Sequence, residues 1–173
     1  MQALLVIDVV NAIFELPVPL HEPDAFLERV RDLIERARTS RVPIFYFRHV
    51  GAAGSRFAPG GRGFEIPDVV APVADDIVID KREPDMFVGT ELARLLAERA
   101  TTELVMCGFA TQDCVDTTVR SAWGKGFDVV LAADAHTTTA NPVLSAKQII
   151  EHHNFVLTRL ARVVPAVEIA FTA

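Results

Sequence analysis

The fold class is decided by residues 103–133, ELVMCGFATQDCVDTTVRSAWGKGFDVVLAA. This stretch begins with an apolar run at residues 103–107 and ends with another at residues 128–133. Unbroken apolar runs of this length are typical of strands that are buried on both faces of a parallel sheet. Between the two runs, apolar side chains recur at helical spacing at Val115, Val119, Ala122 and Trp123. A strand, a helix and a second strand in this order predict a right-handed βαβ unit.

The rest of the chain repeats this alternation. Further strands are predicted at residues 3–9, 43–47, 76–80 and 162–164. Between the first two, an amphipathic helix is predicted from apolar residues spaced three and four apart: Phe26, Leu27, Val30, Leu33, Ile34 and Ala37. A second helix is expected to be capped by Thr90, and a last helix to open at Asn141 and Pro142. Together these elements predict an α/β fold, a three-layer α/β/α sandwich around a parallel sheet of about six strands.

The composition bounds the protein's class. The chain has 173 residues, of which 50% are hydrophobic and 23% are charged. A chain of this length buries roughly 70% of its unfolded surface as one compact unit, so we expect a single domain over residues 1–173. The net charge is −6, and basic residues do not cluster with aromatic ones, so nucleic acid is not an expected partner.

The opening residues and the cysteines bear on location. The sequence MQALLVIDVV has no basic region, and Asp8 and Asn11 interrupt the apolar run, so we expect no signal peptide, no membrane partner and a cytoplasmic protein. The two cysteines, Cys107 and Cys114, are too few for a disulfide framework and lack the spacing of a redox or zinc pair. At least one free thiol is therefore predicted.

Residues 51–63 stand apart from the regular pattern. They contain five glycines, together with Arg56, Phe57, Pro59 and Arg62, and show neither helical nor strand periodicity. We interpret this segment as a mobile loop and a candidate lid over a substrate.

Three residues with reactive side chains, a carboxylate, an amine and a thiol, follow predicted strands: Asp8, Lys81 and Cys114. Because ligands bind beyond the carboxyl ends of strands in open parallel sheets, the three are expected at one rim. Alternative readings remain open, since Asp8 could cap a turn, Lys81 could be solvated and Cys114 could be a small buried apolar residue. A cysteine at the start of a helix is favoured as the thiolate, so a lowered pKa is predicted for Cys114.

Three motifs resemble those of the isochorismatase-like hydrolases, specifically the cysteine hydrolase branch. They are VIDVVNAIF at residues 6–14, VIDKREPDMFVGTEL at residues 78–92 and GFATQDCVDTTVRSAWGKGFDVVLAADA at residues 108–135, and the match runs over residues 3–164. The resemblance implies a six-stranded parallel sheet of order 3-2-1-4-5-6 and a catalytic triad of Asp8, Lys81 and Cys114. It also implies a cis peptide between Phe109 and Ala110.

By the same resemblance, the reaction is cleavage of a C–N bond in a small amide, carbamoyl or ureido compound through a thioester on Cys114. Asp8 would move the proton, and Lys81 would keep Asp8 ionised. The N–H groups of Ala110 and Cys114 are the expected oxyanion donors. The expected pocket residues are Phe14, Phe87 and Phe109.

The sequence departs from the family pattern at its metal site. Nicotinamide-hydrolysing members bind a metal through an Asp-x-His pair and a later histidine, but here Phe47 stands two residues before His49 and no further histidine follows until His136. We therefore expect no metal and no cofactor. We also expect a homo-oligomer, a dimer or larger, because family members commonly assemble. Trp123 is predicted to lie in the core or at a subunit interface.

Two other functions remain open. One is hydrolysis of a vinyl ether of the isochorismatase type, in which Cys114 would be incidental. The other is non-catalytic binding of a small molecule on the same fold. No GxGxxG or GxxxxGK[ST] motif follows any predicted strand, so nucleotide binding is not favoured.

Overall fold

A computed structural model describes residues 1–172. The predicted domain ends at Ala173, which lies outside the described residues. Six strands form one sheet in which every pairing is parallel. They are β1 (Gln2–Ile7), β2 (Ile44–His49), β3 (Ile77–Lys81), β4 (Glu103–Phe109), β5 (Asp128–Thr137) and β6 (Arg162–Val164). The order β3-β2-β1-β4-β5-β6 confirms the predicted fold class.

The helices lie in two layers, one on each face of the sheet. They are α1 (Asn11–Phe14), α2 (Pro23–Thr39), α3 (Leu92–Glu98), α4 (Asp116–Gly124) and α5 (Ala146–Leu157). Short 3₁₀ turns occupy Arg62–Phe64, Asp68–Val70 and Ala166–Glu168. Helix α2 packs on one face with Leu4 and Val6, and α3, α4 and α5 pack on the other with Leu5 and Ile7. Successive residues of β1 therefore pack alternately into two separate hydrophobic cores, which explains the unbroken apolar sequence of this strand.

The last helix differs from the prediction. It begins at Ala146 rather than at Pro142, because the Asn141 side chain accepts from the N–H groups of Val143 and Leu144 and so closes a turn. Ser145 caps the helix instead, in a reciprocal arrangement with Gln148. Helix α3 likewise begins at Leu92, two residues beyond Thr90.

Two further predictions need adjustment. Strand β5 runs to Thr137, four residues past its predicted end, because its polar final residues are buried by pairing with the end of β4. Trp123 is 54% exposed, so it does not belong to the core, and its place at a subunit interface stays a prediction. Within residues 1–172, no helix is both long enough and apolar enough to cross a bilayer.

Gly108 fixes the contact between the two central strands. It lies on β4 opposite Ile7, with φ of 131°, and a Cβ at this position would overlap the Ile7 carbonyl oxygen and lie 2.7 Å from its nitrogen. Neither atom can move freely, because both belong to the backbone of β1. Glycine is therefore required at the point where β1 delivers Asp8 and β4 leads into Cys114.

We expect Gly108→Ala to lower the free energy of unfolding by about 2–4 kcal/mol, since it adds both overpacking and a strained backbone. Urea denaturation measures the change. Gly124→Ala is the matched control, because no atom lies within 4 Å of its added methyl group and alanine favours the helix. Equal stability of the two variants would contradict this account of Gly108.

Candidate active site

Asp8 is the first residue after β1, at the carboxyl end of the sheet. Its backbone is left-handed, with φ of 52°, and its N–H donates to the carbonyl of Phe47 at 3.1 Å. The residue is only 2% exposed. A buried carboxylate is costly unless an opposite charge or hydrogen-bond donors accompany it, so its partner determines its chemistry.

Lys81 supplies that partner from the end of β3. Its Nζ lies 2.6 Å from Asp8 Oδ2 and donates to Cys114 Sγ at 3.1 Å, and its side chain is fully buried. Strand β2 separates β3 from β1, so the long lysine side chain reaches across the end of β2 at His49. The structure therefore brings together all three residues that the sequence placed at one rim.

Cys114 lies on a π-helical turn, Thr111–Val115, that joins β4 to α4. The predicted lowering of its pKa is wrong for the free protein. Burial raises the pKa of the Cys114 thiol to about 12; the Asp8 charge adds to this effect and Lys81 opposes it. Desolvation and the neighbouring carboxylate outweigh the Lys81 charge, so the thiol is protonated at neutral pH.

Asp8 has the properties of a base at this site. Burial raises the pKa of the Asp8 carboxyl above its usual value, although Lys81 acts in the opposite direction. Its second oxygen, Oδ1, is buried and accepts no hydrogen bond within residues 1–172. One carboxylate oxygen is therefore held by Lys81 and the other is free to take a proton.

A cavity of about 310 Å³ opens onto these groups. Its volume is at the lower end for ligand sites, which suits a small molecule. It is lined by Asp8, His49, Phe57, Pro84, Phe109, Ala110, Asp113 and Cys114. Phe57 belongs to the loop of residues 51–63, and its ring meets the His49 ring edge-on with centroids 6.1 Å apart. This loop therefore forms one wall of the cavity.

Phe109 lines the cavity as predicted, but the other two predicted pocket residues lie elsewhere. Phe14 packs on Phe26, with ring centroids 6.4 Å apart, because the short helix α1 directs it toward α2. Phe87 stacks on Phe127 at 5.8 Å, in the core on the opposite face. The structure thus corrects the prediction for Phe14 and Phe87 and replaces them with Phe57.

Ala110 borders the cavity beside the turn Thr111–Val115. The peptide bond between Phe109 and Ala110 is cis. No acceptor for the Ala110 N–H occurs in the part of the chain that the structure describes, and its carbonyl instead accepts from Asp113 and Val115. A buried N–H without a partner is rare, and one that borders a cavity is available to a ligand oxygen.

Comparison with known proteins shows the family to which this chain belongs. The model of the isochorismatase domain matches residues 2–168, which is nearly the whole chain. The chain belongs to the isochorismatase family. The crystal structure of an isochorismatase from Pseudomonas putida superposes on it with a TM-score of 0.92 at 32% identity, covering 97% of this chain and 89% of that one.

Some relatives of this chain carry names that describe a reaction. The streptothricin hydrolase of Streptomyces noursei is 39% identical over 137 residues, which cover 79% of this chain and 50% of that protein. The ureidoacrylate amidohydrolase of Azorhizobium caulinodans is 26% identical over 147 residues, covering 68% of this chain and 64% of that protein. The chain spans about half the length of the streptothricin hydrolases it matches.

The residues of this isochorismatase-family chain do not fit the metal site of the nicotinamide-hydrolysing members. His49 lines the cavity, but the residue two positions before it, Phe47, is buried in the core. Across residues 1–172, no group of three or more His, Cys, Asp or Glu side chains is arranged to hold a metal ion.

A buried histidine that the sequence did not single out contacts the first residue of the turn Thr111–Val115. His136 lies opposite Gly108 on β5, and its Nε2 lies 2.8 Å from Asn154 Oδ1 while its Nδ1 lies 2.9 Å from Thr111 Oγ1. Asn154 donates its own amide to Ala133, so Asn154 Oδ1 must accept the His136 proton. Thr111 then donates to Nδ1, which ties the start of the turn to β5 and α5.

This contact predicts an acid-sensitive fold. Burial lowers the pKa of His136 to about 4 from an ordinary 6.5, so the folded protein keeps the ring neutral while the unfolded chain protonates it. Stability is therefore lost as pH falls from about 6.5 to about 4, by about 3 kcal/mol in total. Urea denaturation across this range measures the loss. We expect it to shrink in His136→Gln and to persist in His152→Gln, whose ring is exposed on α5; equal pH profiles for the two variants would contradict it.

Proposed function

We propose that this chain is a cysteine hydrolase that cleaves the C–N bond of a small amide, carbamoyl or ureido compound through a thioester on Cys114. The observation that carries the proposal is the position of Lys81 Nζ, 2.6 Å from Asp8 Oδ2 and 3.1 Å from Cys114 Sγ, beside a small cavity. The names of the streptothricin hydrolase and the ureidoacrylate amidohydrolase support chemistry of this kind.

The first step creates the nucleophile. As Cys114 Sγ bonds to the substrate carbonyl carbon, its proton moves to Asp8, whose Oδ1 is free to accept it. Asp8 becomes neutral as one negative charge develops on the sulfur and, once the C–S bond forms, on the substrate oxygen; Lys81 contacts both Asp8 and Cys114. The net charge of the buried site does not change, so activation avoids the desolvation penalty of an isolated thiolate. This explains how a thiol with a raised pKa can act as the nucleophile, because Cys114 loses its proton during the attack rather than before it.

The following steps release the products. The substrate oxygen becomes an oxyanion that accepts from the Ala110 N–H, with the Cys114 N–H as the expected second donor. The C–N bond breaks as the leaving nitrogen takes the proton from Asp8. Water then attacks the thioester and gives a proton to Asp8, and the C–S bond breaks as that proton returns to sulfur. The products are a carboxylic or carbamic acid and an amine.

Trapping the thioester tests this proposal. The protein is mixed with a panel of small amides and ureido compounds, quenched in acid, and Cys114 is examined by peptide mass spectrometry. We expect an acyl adduct on Cys114 that hydroxylamine removes, together with ammonia release. If a substrate is turned over without an adduct at any quench time, and hydroxylamine traps no hydroxamate, the covalent mechanism is overturned.

A further inference from the structure

The cavity lining carries a charged side chain that the proposed cleavage mechanism does not use. Three acidic or basic side chains line the cavity in addition to the thiol: Asp8, His49 and Asp113. Asp8 is neutralised by Lys81. Burial and the Lys81 charge lower the pKa of His49, so its ring is neutral at physiological pH. Asp113 is the charge that remains.

Asp113 has no counter-ion of its own. Its carboxylate makes no ion pair and no side-chain hydrogen bond with any residue from 1 to 172, although its backbone N–H donates to Ala110. The next acidic residue along the sequence, Asp116, does have a counter-ion, because Arg120 pairs with it at 2.8 Å. Arg82 and Glu83 act on the pKa of His49 with opposite signs, and neither of them lines the cavity.

The other lining groups suit a cation as well. Phe57 and Phe109 present aromatic rings to the cavity, and aromatic faces attract ammonium and guanidinium groups. Asp113 directly precedes Cys114 on the π-helical turn, and both residues line the same small cavity, so a substrate that reaches the thiol also meets this carboxylate.

We propose that the substrate carries a positively charged group, an ammonium or guanidinium, close to its scissile amide, and that Asp113 determines this specificity. The statement about the substrate rests on the proposed hydrolase function. The preference of the cavity for a cation does not, and it can be measured by labelling the thiol without turnover. Substrates that bear a carboxylate near the amide are disfavoured, because the carboxylate would face Asp113.

Two sets of matched probes test the inference. The first consists of β-alaninamide, butanamide and succinamate, which are similar in size but cationic, neutral and anionic, with kcat/KM measured by ammonia release. The second consists of trimethylammonioethyl and sulfonatoethyl methanethiosulfonate, whose rates of labelling Cys114 are divided by their rates with free cysteine. Cys107 is fully buried, and Cys114→Ala gives the background.

We expect the cation to be favoured over the anion by about tenfold or more in both sets. Asp113→Asn should remove most of this preference, so that the kcat/KM ratio of β-alaninamide to succinamate and the ratio of the two labelling rates both approach one. Asp116→Asn, which removes an equal charge outside the cavity, should keep the preference.

The outcomes separate the two proposals. Charge-selective labelling of Cys114 without hydrolysis of any amide would overturn the hydrolase function and support the cation-selective cavity. Hydrolysis of butanamide with no charge preference in either set, or a preference that Asp113→Asn leaves intact, would overturn the role of Asp113 alone.

Discussion

Cys114→Ala is expected to lower kcat for ammonia release by at least about 10⁴-fold while the fold remains intact. The variant removes the atom that bonds to the substrate, and losses of this size are typical when a nucleophile is deleted. Cys114 is partly exposed on the cavity wall, so the smaller side chain costs little packing. Activity on the best amide of the panel and circular dichroism of both proteins give the measurement.

Cys107→Ala is the matched control for this result. Cys107 is a fully buried thiol on β4, and burial raises its pKa to about 12 as well. Its removal should cost stability and leave kcat nearly unchanged. A Cys114→Ala enzyme that keeps its activity would exclude thioester chemistry, and retained activity toward a vinyl ether would favour the isochorismatase-type reaction.

Lys81→Met is expected to lower the free energy of unfolding at neutral pH by about 3–5 kcal/mol, because it leaves the Asp8 carboxylate buried without its counter-ion. Both side chains are nearly inaccessible to water, so solvent cannot replace the lost charge. The Asp8 carboxyl should then become protonated, and stability should recover as pH falls through its further raised pKa. Urea denaturation at several pH values measures both effects.

The double variant Asp8→Asn with Lys81→Met tests the cause of this loss. It removes both charges together, and asparagine tolerates the left-handed backbone at position 8. We expect it to be more stable at neutral pH than Lys81→Met alone, although inactive. A double variant that is less stable than the single one would show that packing around Lys81, rather than charge, holds this region.

The sequence predicted the sheet and the positions of Asp8, Lys81 and Cys114 because both depend on strand polarity. Parallel strands end at one rim, and polar residues after apolar runs are visible in a sequence. Asp113 lies beside Cys114 and His49 lies at the end of β2, so strand polarity brings both to the same rim. From the sequence, His49 is considered only as a metal ligand and Asp113 is not singled out, because neither residue type is unusual in itself.

The features that the sequence did not predict depend on three-dimensional surroundings. The thiol pKa reflects the balance between burial, Asp8 and Lys81, and that balance depends on distances that a sequence does not contain. The resemblance implied that Phe14 and Phe87 line the pocket, but the direction of a side chain after a strand depends on what it packs against. The start of α5 was misplaced because Asn141 and Ser145 are both capable of capping, and sequence alone does not decide between a turn and a helix.

The loop of residues 51–63 contributes one side chain, Phe57, to the cavity, and none to the charged cluster beneath it. Its ends are held by backbone bonds, from Val50 to Lys81 and from Asn11 to Glu65. The loop therefore bounds the cavity without entering the cluster of Asp8, Lys81 and Cys114. A change in its length or sequence is expected to alter which molecules fit before it alters the groups that react.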